Sequence, residues 1–219
     1  EAMNYGVDPS EETVTTTDAD GKKKLHPAAL RSLIFILCSV AFWFMGYNAV
    51  TSKYSVYAGD VLGLAYNLTL IIAQAAAIVS YIPVGIVSSK IGRKKTILAG
   101  VVMLCAAFTG AAFIGRGTSI LVMNIFFALA GIGWASINVN SYPMVVELAK
   151  SGDTASMSAQ IITPILSGAF LTWGGMRTLF PYAAIFVAGA FFTMLAVKHG
   201  DSVGETKKDL LEHLDVGDD

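Results

Sequence analysis

Six apolar stretches, separated by short polar breaks, fill the chain between a polar lead and an acidic tail. They run over about Leu33–Val50, Ala65–Val87, Thr96–Ile114, Ile120–Val146, Ser156–Thr172 and Leu179–Val197. All reach the length at which an apolar helix crosses the hydrocarbon of a bilayer, the fifth, at about 17 residues, at its lower limit. The lead "EAMNYGVDPSEETVTTTDADGKKK" holds six acids and no apolar period, which predicts no regular element. Residues 1–27 are therefore expected as a disordered cytoplasmic lead or central loop. A six-helix transmembrane bundle follows over 28–197, and a cytoplasmic tail over 198–219. The tail has a short apolar patch at Leu210, Leu211 and Leu214.

Polar residues are distributed unevenly among the spans. The third, "TILAGVVMLCAAFTGAAFI", and the sixth, "LFPYAAIFVAGAFFTMLAV", carry few polar side chains and many small ones. They suit scaffold helices that pack through Gly and Ala. The first carries "FWFMGYNAVTSKY", with Trp43, Tyr47, Asn48 and Lys53, and its Gly46 offers a point at which a helix can unwind. The fourth carries "GIGWASINVNSYPMVVEL". At about 100° per residue, Trp134, Asn138, Ser141 and Tyr142 fall on one face, and Ser136, Asn140 and Glu147 on another. Gln74, Tyr81 and Gly85 stripe the second span; Gln160, Thr163 and Ser167 stripe the fifth. The order polar, intermediate, apolar thus occurs twice. It predicts an all-α membrane fold of six helices in a three-plus-three inverted repeat.

An amide in hydrocarbon costs several kcal/mol unless it is bonded or faces water. Pro143 adds to this by freeing a carbonyl near Val139. Two roles fit the amides of the fourth span. Either they join helices, each bond contributing about 1 kcal/mol or less, or they line a water-filled cavity. The joint pattern of Trp43, Tyr47, Asn48, Gln74, Trp134, Asn138, Asn140, Tyr142 and Gln160 favours a substrate cavity whose rings and amides suit a polyhydroxylated solute.

Composition agrees with the spans. Of 219 residues, 54% are hydrophobic and 14% charged, with a mean hydropathy of +0.61. A net charge of −1 speaks against a nucleic-acid partner. Cys38 and Cys105 lie inside apolar runs and read as small hydrophobes. No metal spacing, phosphate loop or catalytic constellation stands out, so neither an enzyme nor a cofactor is expected. Twelve of the fifteen Lys and Arg residues fall in the lead, the tail and the loops after spans two and four. Lys53, Arg116 and Arg177 fall on the other side. The positive-inside rule then puts both termini in the cytoplasm.

The loop after span two reads "GIVSSKIGRKKTI". Gly85 and Gly92 permit a close approach and a tight turn there, and the cations anchor the loop. Gly85, Lys90, Gly92, Arg93, Lys94 and Lys95 are spaced as in G-x-x-x-D-R-x-G-R-[RK]-[RK], the signature of the major facilitator superfamily. The chain departs from it at Ser89 and Lys90, as the copy in the second half of such transporters often does. Residues 30–197 accordingly resemble the C-terminal six-helix half of a major facilitator. "FWFMGYNAVTSKYSVYA" and "GWASINVNSYPMVVE" look like the bacterial sugar:cation symporters, the sucrose:proton and glycoside–pentoside–hexuronide relatives. The resemblance implies a bacterial inner-membrane protein whose first and fourth helices line the cavity and which requires an N-terminal half. It also implies transport of a sugar or glycoside by alternating access, coupled to H+ or Na+.

Coupling needs a titratable group within the membrane, and the acids lie outside the spans or at their ends, Asp60 and Glu147 nearest. Glu147 fits either a gate partner or an end-of-helix charge. Lys53 either snorkels to the outer surface or meets an anionic solute. Two other classes remain open: a membrane assembly or signalling module that transports nothing, and an exporter of drugs or amphiphiles.

Overall fold

The computed structural model describes residues 15–17, 23–25, 27–148 and 174–198. Among the described residues, five helices carry the fold: α1 (Pro27–Tyr57), α2 (Asn67–Ile91), α3 (Arg93–Ala112), α4 (Ile120–Leu148) and α5 (Leu179–Leu195). Each is long and apolar enough to cross a membrane, α5 together with the 3-10 turn Met176–Thr178 that leads into it. They coincide with predicted spans one, two, three, four and six; span five, with Gln160, Thr163 and Ser167, lies outside the described residues. Ahead of α1, Thr15–Thr17 (β1) pairs antiparallel with Lys23–Leu25 (β2), Thr16 opposite Lys24. No regular element is expected there from the sequence. The β-branched threonines favour the extended backbone that a ladder needs, even without an apolar period.

Local chemistry explains the helix ends. Pro27 opens α1, where its missing N–H costs nothing. The C-terminal end of α1 widens into a π-helical turn, Ala58–Leu62, closed by Gly63 at φ 70°. Gly92 alone separates α2 from α3. Its φ of 94° lies in the region that favours glycine, and its N–H donates to Ser88 O (2.9 Å), ending α2. Pro143 sits inside α4 without ending it. A membrane helix tolerates this where neighbours satisfy the freed backbone.

Packing between helices is selective. Helix α4 packs extensively on α2 and on α3, α5 extensively on α1 and on α3, while α1 meets α4 over a smaller area. The tightest approaches rest on glycine. A Cβ at Gly131 would collide with the carbonyl oxygen of Ala73 on α2, and one at Gly100 would stand 2.6 Å from the Gly133 carbonyl oxygen. The role foreseen for Gly46 changes. Helix α1 runs unbroken through it, and a Cβ there would lie 2.8 Å from Ala183 O. Gly46 therefore serves close contact with α5 rather than unwinding. Gly85, by contrast, has open space where a Cβ would stand.

Large apolar side chains point outward: Val79 is 74% exposed, Ile82 76%, Ile185 70% and Phe192 70%. A bilayer is the medium that suits such a surface, because hydrocarbon replaces the water these groups avoid.

Candidate functional site

Helices α1 and α4 meet through aromatic rings. The Tyr47 ring lies flat on Trp134, centroids 3.8 Å apart and planes within 2°. Phe44 meets the same indole edge-on at 5.3 Å. The pairing arises because Tyr47 follows Phe44 by three residues, so both project from one stripe of α1. Beside this stack, a cavity of about 140 Å³ opens between α1, α2 and α4, with Phe108 of α3 at its wall. Its polar wall comes from Tyr47 and Thr51 of α1 and Gln74 of α2; Val50, Leu70, Phe127 and others form the apolar remainder. Thr51 Oγ1 donates back to Tyr47 O (3.1 Å), which satisfies its hydrogen. Gln74 is exposed within the apolar run Leu70–Val79 of α2.

The structure sorts the residues expected at the cavity into three groups. Tyr47 and Gln74 line it. Trp134 supports it from beneath Tyr47, and Asn48 and Asn138 are half-buried outside its lining. The rest lie elsewhere. Trp43 is fully buried, with no hydrogen-bond partner for its indole N–H among the described residues. Tyr142 is 60% exposed. Asn140 is buried against α2, where its Oδ1 accepts from Ser88 Oγ and its Nδ2 donates to Ser136 O (2.8 Å). The amide thus joins two helices. Lys53 is half-buried in α1. Gln160 lies outside the described residues, and of Glu147 only its place in the last turn of α4 is described.

The cationic loop connects to a helix end. Lys90 closes α2, Gly92 makes the turn, and Arg93, Lys94 and Lys95 open α3. Lys94 Nζ donates to Leu195 O (3.0 Å) and to Val197 O, at the C-terminus of α5. A cation there completes unpaired carbonyls and opposes the negative end of the helix dipole. The adjacent Lys198 N–H donates to Ser32 Oγ (3.3 Å), tying the same corner to α1.

Sequence reasoning did not pick out Thr51, Phe127 or Asn124. Asn124 carries the clearest signal, as an amide inside "SILVMNIFFALA". Its Oδ1 accepts from the buried Thr69 hydroxyl (2.7 Å), a second link between α2 and α4. Thr51 stands one helical turn past Tyr47, a spacing that places the two on one face.

Comparison with known proteins agrees with these features. The family model described as Major Facilitator Superfamily matches residues 5–160. No curated protein matches the chain. A match over most of the chain, together with five membrane-length helices and a cavity among them, makes this an integral membrane protein of the major facilitator superfamily, a family of membrane transporters.

Proposed function

We propose that this chain is the six-helix half of a secondary transporter that moves a small polar solute, a sugar or glycoside, by alternating access. The observation that carries the proposal is the cavity beside the Tyr47–Trp134 stack. A sugar presents C–H faces to aromatic rings and hydroxyls to polar groups, and here Gln74 and Thr51 stand beside Tyr47. Tyr47 and Gln74, which line the cavity, are assigned to solute, with Trp134 behind Tyr47; Asn48, Asn138 and Gln160 are assigned to the same wall on sequence grounds. Trp43, fully buried elsewhere in α1, and the exposed Tyr142 are not assigned to it.

The three-plus-three layout finds support in the packing. Exchange span one with four, two with five, and three with six. The α1–α5 contact then becomes the α4–α3 contact, while α3–α5 and α1–α4 map onto themselves. All four contacts occur, as an inverted repeat requires. Cation placement supports cytoplasmic termini, with Lys53 on the outer half of α1. Asp60 and Glu147 are the acids within the described helices, each at a helix end. The carboxylate that couples H+ or Na+ is therefore assigned to the other half of a twelve-helix protein, with Glu147 retained as a gate partner. The partners are the bilayer, the solute and that other half.

A second reading has one observation in its favour. Most of the cavity lining is apolar, including Leu70, Phe108 and Phe127, which suits an amphiphile as well as a sugar. Uptake by the full-length protein in proteoliposomes, with labelled sugars and an amphiphilic cation run side by side, separates the two. Sugar uptake is expected, and Asn138→Leu should lower it several-fold at unchanged membrane abundance. Transport of the amphiphile alone would transfer the site to the second reading. Undiminished sugar uptake by Asn138→Leu would assign that amide to packing.

A further inference from the structure

The outer end of α1 is an unusual helix terminus, and its hydrogen bonding can be followed donor by donor. The π-helical turn Ala58–Leu62 ends at Gly63. The carbonyl of Ala58 is met by the N–H groups of Gly63 and Leu64, the latter at 2.8 Å. Gly63, at φ 70°, turns the chain at the helix end. Two further carbonyls of the turn are taken by a residue from another loop: Arg116 Nη2 donates to Asp60 O (2.7 Å) and Arg116 Nε to Val61 O (3.0 Å). Arg116 projects from "IGRGTS", between α3 and α4, where Gly117 has a φ of 89°.

Two loop cations flanking α3 therefore each cap a different helix. Lys94, at its start, holds the C-terminus of α5. Arg116, just beyond its end, holds the C-terminus of α1. α5 also packs extensively along α3, but α1 does not, so the Arg116 contact is a principal tie between α3 and the outer tip of α1. Directly inward of that tip, Tyr54 rests on Phe127 (4.2 Å) and Tyr57 meets Phe180 edge-on (5.0 Å). These rings are buried and stand between the tip and the cavity wall at Val50 and Thr51. Moving the tip moves the plug.

We propose that Arg116 is a positioning residue, a latch that holds the π-helical tip of α1 and keeps the Tyr54–Tyr57 aromatic plug closed over the cavity on that face. This rests on the transporter reading for its purpose, but the geometry of the latch is independent of which solute is carried. Two features suit the role. The guanidinium is exposed, so releasing it exposes no buried charge. It also binds backbone carbonyls, so no side chain of the tip needs to change when it lets go. The π-helical turn also breaks the α-helical bond pattern of the rest of α1 at this tip, as single π turns at functional sites often do.

The test uses the full-length protein in oriented membrane vesicles, with Cys38→Ser, Cys105→Ala and a reporter, Val50→Cys. Val50 lines the cavity and is 1% exposed. Labelling by a charged, membrane-impermeant thiol reagent is followed from each face. Adding Arg116→Ala is expected to raise the rate about fivefold or more from the face carrying the α3–α4 loop alone. Arg116→Lys, which keeps the charge but not the two-pronged fork, should fall between. An unchanged rate, or an equal rise from both faces, would overturn the latch. So would loss of membrane protein in both Arg116→Ala and Arg116→Gln, which would make the residue a structural support. Labelling does not depend on uptake, so failure of the sugar reading leaves this result intact, and the reverse also holds.

Discussion

Helix α4 presents one side to α2 and another to α1, and the two seams are built from different materials. Against α2 it offers Gly131, whose missing side chain admits the Ala73 backbone, and two bonded polar pairs, Thr69–Asn124 and Ser88–Asn140. Against α1 it offers Trp134 and Phe127, rings that touch Tyr47 and Tyr54 and leave a cavity of about 140 Å³ beside them. Backbone proximity and interhelical hydrogen bonds lock the first seam in one register, since neither tolerates sliding. Stacked rings hold the second seam with flat, adaptable surfaces and leave room for a guest. The comparison teaches that a polar residue in a membrane helix has two fates, and that its neighbour across the seam decides which. Asn140 found Ser88 and became a link. Gln74, facing a gap, became a wall.

The largest effect should come from breaking the close seam. Gly131→Val would push two methyl groups into the Ala73 carbonyl. Overpacking of this kind costs about 1–3 kcal/mol even where side chains can adjust, and here the obstacle is backbone. Folded protein, measured as the monodisperse fraction in detergent, is expected to vanish; normal yield would mean that the two helices stand further apart. Next comes the aromatic seam. Trp134→Ala removes the ring beneath Tyr47. A stacked pair contributes about 0.5–1.5 kcal/mol beyond buried area, so uptake KM should rise up to about tenfold. Thermal stability should suffer far less than in Gly131→Val. A thermal loss equal to that of Gly131→Val would erase the distinction between seam and site.

The smallest effect tests the glue. Ser88→Ala leaves the Asn140 carbonyl oxygen without its donor from α2, while Ser88→Ala with Asn140→Leu removes both partners. A cycle of melting temperatures across the single and double variants should give a coupling of about 1 kcal/mol or less. The double variant should be no worse than Ser88→Ala, because paired removal leaves no orphaned group. Additive losses would show that the two side chains do not act on one another.

Much of this organisation is legible from residue order. Helices α1 to α5 lie where hydropathy places spans, and Gly92 makes the turn that its place between two cationic, helical stretches suggests. The two faces assigned to α4 separate in space as well: Trp134 turns to α1, whereas Asn140 turns to α2. Three features were hidden. Gly46 looked like a point of weakness because nothing nearby in sequence announces Ala183, which touches it from α5. Asn124 passed as part of an apolar run because its partner, Thr69, is 55 residues away. Arg116 looked like an ordinary outer cation. Its partners are backbone carbonyls, which have no residue type and leave no trace in a pattern.

Hydropathy by itself determined that this chain lives in a membrane and where each of the described helices crosses. The transfer of a residue into hydrocarbon is a local quantity, summed along about twenty positions, and no partner is needed to evaluate it. The tertiary structure alone decided the rotation of each helix about its axis. That rotation depends on which glycine meets which carbonyl and which hydroxyl finds which amide. It set Tyr47 on Trp134, opened the space beside Gln74, and buried Trp43 and Asn140 away from it.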